Sequence, residues 1–250
     1  MEKIYLDHVS CTPTHHSVIE AMVDSIKNCY GNPSNLHHFG QTANKIVQTA
    51  RDEVASLIGA KAEEIIFTSS GSEANNFAIK GLVMANQKKG KHIITSEIEH
   101  FSVLNPLKRL EKTGFEVTRI PVDKYGMIDP AEVASAIKPE TILVSIMHAN
   151  NEIGTIEPIE EIGKIVKEHD IIFHVDAVAS AGWIPIDVNK MKADALSLAS
   201  NQFYGPPGVG ALYLREKTRI VPFIEGGIQE GGRRAGTENI PGIVGMGKAA

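Results

Sequence analysis

The stretch "FTSSGSEANN" sets Ser69, Ser70, Gly71 and Ser72 between an apolar run and a helical pattern opened by Glu73. Backbone N–H groups at such a helix start, with serine hydroxyls beside them and the helix dipole behind, make a ready phosphate site. The same pattern also reads as plain N-capping by Ser72. In "IIFHVDAVAS", Asp176 follows a buried apolar run. A carboxylate there is costly unless a cation or good hydrogen bonds meet it. It asks for a partner such as a protonated ring nitrogen, or for a salt bridge to a neighbouring helix. "TSEIEHFSV" puts His100 just beyond another apolar run, where a lone histidine is more often structural than functional. "DALSLASNQFYGPPGVGALYLR" places Ser200, Asn201 and Gln202 in a loop between two apolar runs. Such loops commonly carry the reacting group of α/β proteins, yet none of these three side chains can act as a base or form an imine.

The elements that must position these residues are short apolar runs alternating with amphipathic segments. Strands are expected at Ile65 to Thr68, His92 to Thr95, Glu116 to Ile120, Ile142 to Met147, Ile171 to Val175, Ala195 to Ala199 and Ala211 to Leu214. Helical spacing recurs in Ile46, Val47, Ala50, Val54 and Leu57, and again in Phe77, Ile79, Leu82 and Val83. "ILVSIM" and "IIFHV" are nearly continuously apolar, which suits strands buried on both faces of a mostly parallel sheet. The expected class is therefore α/β. The N-terminal "MEKIYLDHVS" reads as an edge strand, and residues from about 15 onward read as one domain. After Pro241, a good first helical residue, "GIVGMGKAA" has the content of a buried helix and then stops without a cap. The expectation is a chain ending inside a helix, as part of a longer protein.

Composition narrows the function classes. The 250 residues are 42% hydrophobic and 22% charged, with a net charge of -5. No aromatic-interleaved basic tract is present, so nucleic acid is not the expected partner. No apolar stretch is long enough to span a bilayer, and the N-terminus does not read as a signal peptide. The two cysteines, Cys11 and Cys29, suggest no disulfide framework. A cytoplasmic protein acting on small molecules or proteins is expected. His8, Cys11, His15 and His16 are dense, but their spacing matches no strong zinc pattern and no metal is expected.

The phosphate loop, His100, "HANNEIG", Asp176 and the loop at residue 202 all fall at carboxyl ends of strands, in an order that resembles the pyridoxal-phosphate enzymes of the class V aminotransferase family, and most closely the cysteine desulfurases. "IYLDH", "GNPSNLHHFG", "EEIIFTSSGSEANN", "EIEH", "ILVSIMHANNEIGTIEPI", "HVDAVASAG", "FYGPPGVGALY" and "GGRRAGTEN" are similar to family blocks and follow the family's order. The resemblance implies a large domain with a mixed, mainly parallel sheet sandwiched by helices (residues 15–250). The small domain would be represented only by an N-terminal arm (residues 1–14), its C-terminal part being absent. It also implies roles. Ser70, Gly71 and Ser72 would hold the cofactor phosphate, and Thr237 would reach the phosphate of the partner subunit in a homodimer. His100 would stack on the pyridine ring, Asp176 would pair with its nitrogen, and Asn151 would lie beside its phenolic oxygen.

In the family the loop reads Ser-x-His-Lys, and the lysine forms the Schiff base with pyridoxal phosphate and shuttles protons. Here those positions are Ala199, Ser200, Asn201 and Gln202, with no lysine between Lys192 and Lys217. A family glutamine three residues after the aspartate is Ala179. The family's persulfide-forming cysteine lies in the C-terminal part, and neither Cys11 nor Cys29 matches it. Cys11 could face the cleft, although a buried structural thiol is the commoner outcome. The resemblance thus implies a protein of sulfur mobilisation and iron–sulfur cluster assembly, which in intact relatives turns L-cysteine into alanine and a protein persulfide. Catalysis is expected to be lost or impaired, and covalent cofactor attachment is not expected. Two alternatives are a non-catalytic dimeric scaffold that docks an iron–sulfur assembly protein, and a noncovalent pyridoxal-phosphate binder.

Overall fold

A computed structural model describes residues 3–250. The helices are α1 (His16–Asn28), α2 (His38–Leu57), α3 (Gly71–Asn86), α4 (Phe101–Glu111), α5 (Pro130–Ala136), α6 (Ile159–Glu168) and α7 (Ile240–Ala249). The strands are β1 (Ile65–Thr68), β2 (His92–Ser96), β3 (Glu116–Ile120), β4 (Thr141–Met147), β5 (Ile172–Asp176), β6 (Ala195–Ala199) and β7 (Gly210–Leu214). They form one seven-stranded sheet in the order β1-β7-β6-β5-β4-β2-β3. Pairing is parallel from β3 through β6, while β7 runs antiparallel to both its neighbours. All seven expected strands are present, with ends shifted by at most a residue.

The alternation of side chains along each strand divides the core into two layers. Ile65, Phe67, Ile94, Val144, Ile146, Phe173 and Val175 pack with Val47 and Val54 of α2, Ile162 and Val166 of α6, and Ile243 and Met246 of α7. Ile66, Ile93, Leu143 and Leu212 face the other way, against Phe77 and Leu82 of α3 and Val103 and Leu107 of α4. Central strands thus have both faces covered, which is why their runs lack polar alternation. The one polar ring inside β5, His174, is bonded to Ser145 Oγ at 2.8 Å and Ser197 Oγ at 3.0 Å across three strands. Burial pushes its pKa down to about 3, so it sits in the sheet as a neutral ring.

The register aligns the strand ends that matter. Met147 pairs with Asp176, and Asp176 with Ser197. The residues after β1, β2, β4, β5 and β6 therefore converge on one edge of the sheet, and β7 begins at that edge beside Ala199 and Thr68.

Residues 3–10, the described part of the segment expected to be an edge strand, form no strand, and residues 1 and 2 lie outside the described residues. Residues 3–7 have no strand partner, and Ile4 and Leu6 are 81% and 86% exposed. Its polar groups close a local turn instead: Tyr5 Oη donates to the carbonyls of Asp7 and Cys11 at 2.8 and 2.9 Å. The segment then attaches to the loop after β6, where Thr12 N–H donates to Asn201 O at 2.8 Å and Tyr204 N–H to Thr12 Oγ1 at 2.7 Å.

The outer edge of β1 is covered by an ion pair. Arg51 NH1 donates to Ile65 O and to Glu230 Oε2, both at 2.7 Å, and Arg51 NH2 to Glu230 Oε1 at 2.7 Å. Glu230 Oε2 also accepts Phe67 N–H at 2.9 Å, and the Glu230 side chain is 3% exposed. Two backbone groups that an edge strand would leave open are satisfied by this pair. A second contact, Arg234 Nε to Glu73 Oε1 at 2.8 Å, ties the same segment to the start of α3.

Candidate cofactor site

The converging loops enclose a cavity of about 550 Å³. It is lined by Ser70, Gly71, Ser72, His100, Asn151, Asp176 and Gln202, which come from separate loops of the sequence. Thr237 is not among its walls: it is exposed on the segment held by Glu230 and Arg234.

The phosphate loop is built differently in detail from the sequence expectation. The helix starts at Gly71, not at Glu73, and the cap is Ser70, not Ser72: Ser70 Oγ accepts Glu73 N–H at 3.1 Å. Capping and anion binding are therefore compatible, because the cap uses Ser70 while Gly71 and Ser72 supply the first two helical N–H groups, which have no carbonyl of their own helix to meet. A Cβ at Gly71 would lie 2.6 Å from Val178 Cγ2, so only glycine lets the helix start sit this close to the loop after β5. Glu73 stiffens the turn. Burial alone would raise its pKa, but hydrogen bonds from Arg234 and Ser69 overcome this and hold it below the usual value.

Asp176 ends β5 and is buried. Its Oδ1 accepts Val178 N–H at 3.0 Å and its Oδ2 accepts Asn75 Nδ2 at 2.7 Å. Burial pushes its pKa up, outweighing these two bonds and the opposing pull of the nearby His100 ring. The salt bridge weighed for this residue does not form. Asn75 carries no motif of its own in the sequence, although a buried amide among the apolar residues of α3 is a signal. It also donates to Ser102 Oγ at 2.8 Å, and Ser102 Oγ lies 2.7 Å from His100 Nδ1. Asp176 is thereby tied through two side chains to the ring that caps α4, which Ser102 N–H meets at 3.1 Å.

Behind His100 lies a group whose role sequence reading also missed. Glu99 is fully buried, and its Oε1 accepts Ser96 Oγ at 2.6 Å and Met147 N–H at 2.9 Å. Burial raises its pKa from the ordinary 4.5 to about 8. Between these values the unfolded chain releases the proton and the fold keeps it, so this group's contribution to stability falls as pH rises from 4.5 to 8. Glu99→Gln, which keeps an acceptor but has no proton to lose, is expected to gain on the parent through that window, by about 1.4 kcal/mol per pH unit at most. Urea midpoints of the two proteins across the window check this. A constant difference would show that Glu99 is ionised in the fold.

Gln202 does not point a nucleophile into the cavity. Its Nε2 donates to Val9 O at 3.0 Å and Ser10 O at 3.2 Å, both on the N-terminal segment. Asn201 Nδ2 donates to Ser10 O at 3.3 Å. The loop is pinned from its other side by Trp183 Nε1, which donates to Gln202 O at 2.7 Å. Ala179 and Ala199 line the cavity without polar groups. Asn151 uses its amide on the neighbouring Glu152, 3.0 Å away. Cys11 is half-buried rather than fully buried, Cys29 is buried, and neither lines the cavity. Among the described residues no group of three or more metal-ligating side chains occurs, and no helix is long and apolar enough to cross a membrane.

The arrangement suits pyridoxal phosphate in part. A buried carboxylate that forms no salt bridge among the described residues fits a protonated ring nitrogen, and a helix start that excludes any Cβ fits a phosphate. No lysine is among the described residues that line the cavity, so covalent attachment does not fit. If the cofactor binds, Asp176→Asn is expected to weaken it by about 1–3 kcal/mol, the range for a lost charge-assisted bond. Titration of both proteins with pyridoxal phosphate measures this, and equal affinities would mean that the cavity does not use the carboxylate.

Comparison with known proteins finds relatives along nearly the whole chain. The model of the family described as aminotransferase class-V matches residues 4–250. A cysteine desulfurase IscS of Dictyoglomus turgidum is 55% identical over 247 residues, covering 99% of this chain and 63% of that protein. One of Methanosarcina thermophila is 54% identical over 98% of this chain and 61% of its own length. The chain thus spans less than two thirds of the curated relatives it matches. Among solved structures, a NifS-like protein superposes with a TM-score of 0.97 at 40% identity, covering 99% of this chain and 68% of that one. A structure described as SspA in complex with cysteine gives 0.96 at 44% identity, with 99% and 72% covered. With a mainly parallel sheet whose strand ends converge on one cavity, and a match along nearly its whole length, the chain belongs to the class V aminotransferase family, whose members depend on pyridoxal phosphate.

Proposed function

We propose that this chain is a cysteine-desulfurase-type protein of sulfur mobilisation and iron–sulfur cluster assembly whose cavity takes pyridoxal phosphate without a covalent bond. Conversion of L-cysteine to alanine and a protein persulfide, the reaction of intact relatives, is lost or impaired. One observation carries the reading: Gln202 stands where the family has lysine, and its amide nitrogen is bonded to Val9 and Ser10 carbonyls. When bound, the cofactor supplies an electron sink. The chain's own residues bind and orient. Gly71 and Ser72 N–H groups with the Ser70 and Ser72 hydroxyls hold the phosphate, and Asp176 holds a proton on the ring nitrogen. His100 covers one ring face, and Asn151 stands beside the phenolic oxygen. The support for these roles is their meeting on one cavity.

Absorbance after dialysis, and peptide mapping after borohydride, test the reading. The chain is expected to take up cofactor, to lose it on dialysis and to carry no reduced pyridoxyl group on a lysine of the cavity. Finding one there would overturn it.

A homodimer in the cytoplasm is part of the same proposal. The exposed position of Thr237 outside its own cavity, on a segment anchored by Glu230 and Arg234, supports a contribution to a partner subunit. A scaffold that docks an iron–sulfur assembly protein is the second reading, because the same anchors do not depend on the cofactor. Sedimentation and capture of the assembly protein by cofactor-free material test it, and a monomer that captures nothing would remove it.

A further inference from the structure

The orientation of the Gln202 amide has a chemical consequence for the ligand. Both groups within reach of its nitrogen are carbonyl oxygens, Val9 O at 3.0 Å and Ser10 O at 3.2 Å. Two acceptors on one side fix the NH₂ end there, because the opposite orientation would set three oxygens against one another. The Oε1 end is thereby turned away from the segment. Among the described residues it accepts no hydrogen bond, and Gln202 lines the same cavity as Asp176 and His100. Where the family has an amine that reacts with an aldehyde, this chain has an amide on a cavity-lining residue, its nitrogen fixed and its oxygen met by no donor among the described residues. The orientation is secured twice over, since Asn201 Nδ2 holds Ser10 O and Trp183 Nε1 holds the backbone of residue 202.

We infer that this cavity selects the amino form of the cofactor, a phosphorylated pyridine carrying an aminomethyl group, over the aldehyde form. An ammonium group donates to Oε1, and a charge-assisted bond of this kind is among the stronger ones available. An aldehyde oxygen at the same place meets another acceptor, with no nucleophile to capture it. A methyl group at that position neither donates nor repels. The inference rests on the proposed binding of a pyridoxal-type cofactor and states which form of it the chain takes.

Calorimetric titration of the 250-residue chain with three probes tests it: pyridoxamine 5′-phosphate, pyridoxal 5′-phosphate and 4′-deoxypyridoxine 5′-phosphate. The last cannot react with surface lysines. The amine is expected to bind at least about tenfold more tightly than either other probe. Gln202→Ala should bring the amine and methyl probes to within about threefold of each other. Gln202→Lys should reverse the order, because a second cation faces the ammonium group. Amine and methyl probes of equal affinity for the unmodified chain would overturn the preference while leaving the cofactor site standing. Failure of all three to bind would overturn the cofactor reading itself, and the preference with it. The comparison on the unmodified chain stands even if a variant folds poorly.

Discussion

Gln202→Lys is expected to turn a chain that releases its cofactor on dialysis into one that keeps a measurable fraction, with the pyridoxyl label on residue 202 after borohydride. The change supplies the amine, and Trp183 and the Asn201 carbonyl contact already hold the loop that carries it. Three other partners stay absent. Asn201 holds Ser10 O, and Ala179 and Ala199 offer only methyl groups to the cavity. Each missing neutral hydrogen bond is worth about 0.5–1.5 kcal/mol. The cofactor should therefore be held more weakly than a complete set of partners would allow. Persulfide formation from cysteine should stay at background, because neither Cys11 nor Cys29 lines the cavity. Labelled sulfur on the unmodified chain, with free cofactor removed, would show that the loop at residues 200–202 has kept a catalytic task.

The second large effect is on stability. Arg51→Met leaves the Glu230 carboxylate buried with only Phe67 N–H against it, and uncovers the carbonyl of Ile65. Breaking a buried ion pair from one side costs about 3–5 kcal/mol. The double variant Arg51→Met with Glu230→Leu should recover part of that loss, since no charge is then left unpaired. Urea denaturation of the parent, both single variants and the double variant closes the cycle. Single variants within about 1 kcal/mol of the parent would place the pair with ordinary surface bridges.

Most strands were readable as short apolar runs between turn residues, β3 (EVTRI) being the polar exception, and the period-2 division of Ile65, Ile66 and Phe67 between two cores is the mark of a covered sheet. Sheet order was not readable. That β7 inserts between β1 and β6 depends on pairing between distant segments, of which neither strand carries a local sign. The N-terminal run misled because Ile4, Tyr5 and Leu6 are strand-forming residues in a row, while in the fold residues 3–7 join no strand and Tyr5 closes a local turn. At the site, Ser70, Gly71, His100, Asp176 and the gap at residue 202 were visible as residue types at strand ends. What could not be seen was connection: Asn75 and Ser102 join Asp176 to His100 only after α3 and α4 pack side by side. The choice of Ser70 over Ser72 as cap is one of backbone angle, with Ser70 extended at φ -175° and ψ 166°. Composition carries no trace of that.

The position of β1 bears on how the chain reaches its native state. Its hydrogen-bonded neighbour is β7 alone, and its open side is closed by Glu230, so both partners are made long after it. During synthesis "IIFT" emerges early and must wait for most of the chain, and closing so long a span is entropically unfavourable and slow. Until then it is an apolar ribbon with two bare edges, the kind of segment that pairs with other chains. A chain that ended between β6 and β7 would hold a sheet of β6, β5, β4, β2 and β3 with this ribbon undocked. The interval between translating β1 and translating β7 is thus the period in which this segment is most open to pairing with other chains.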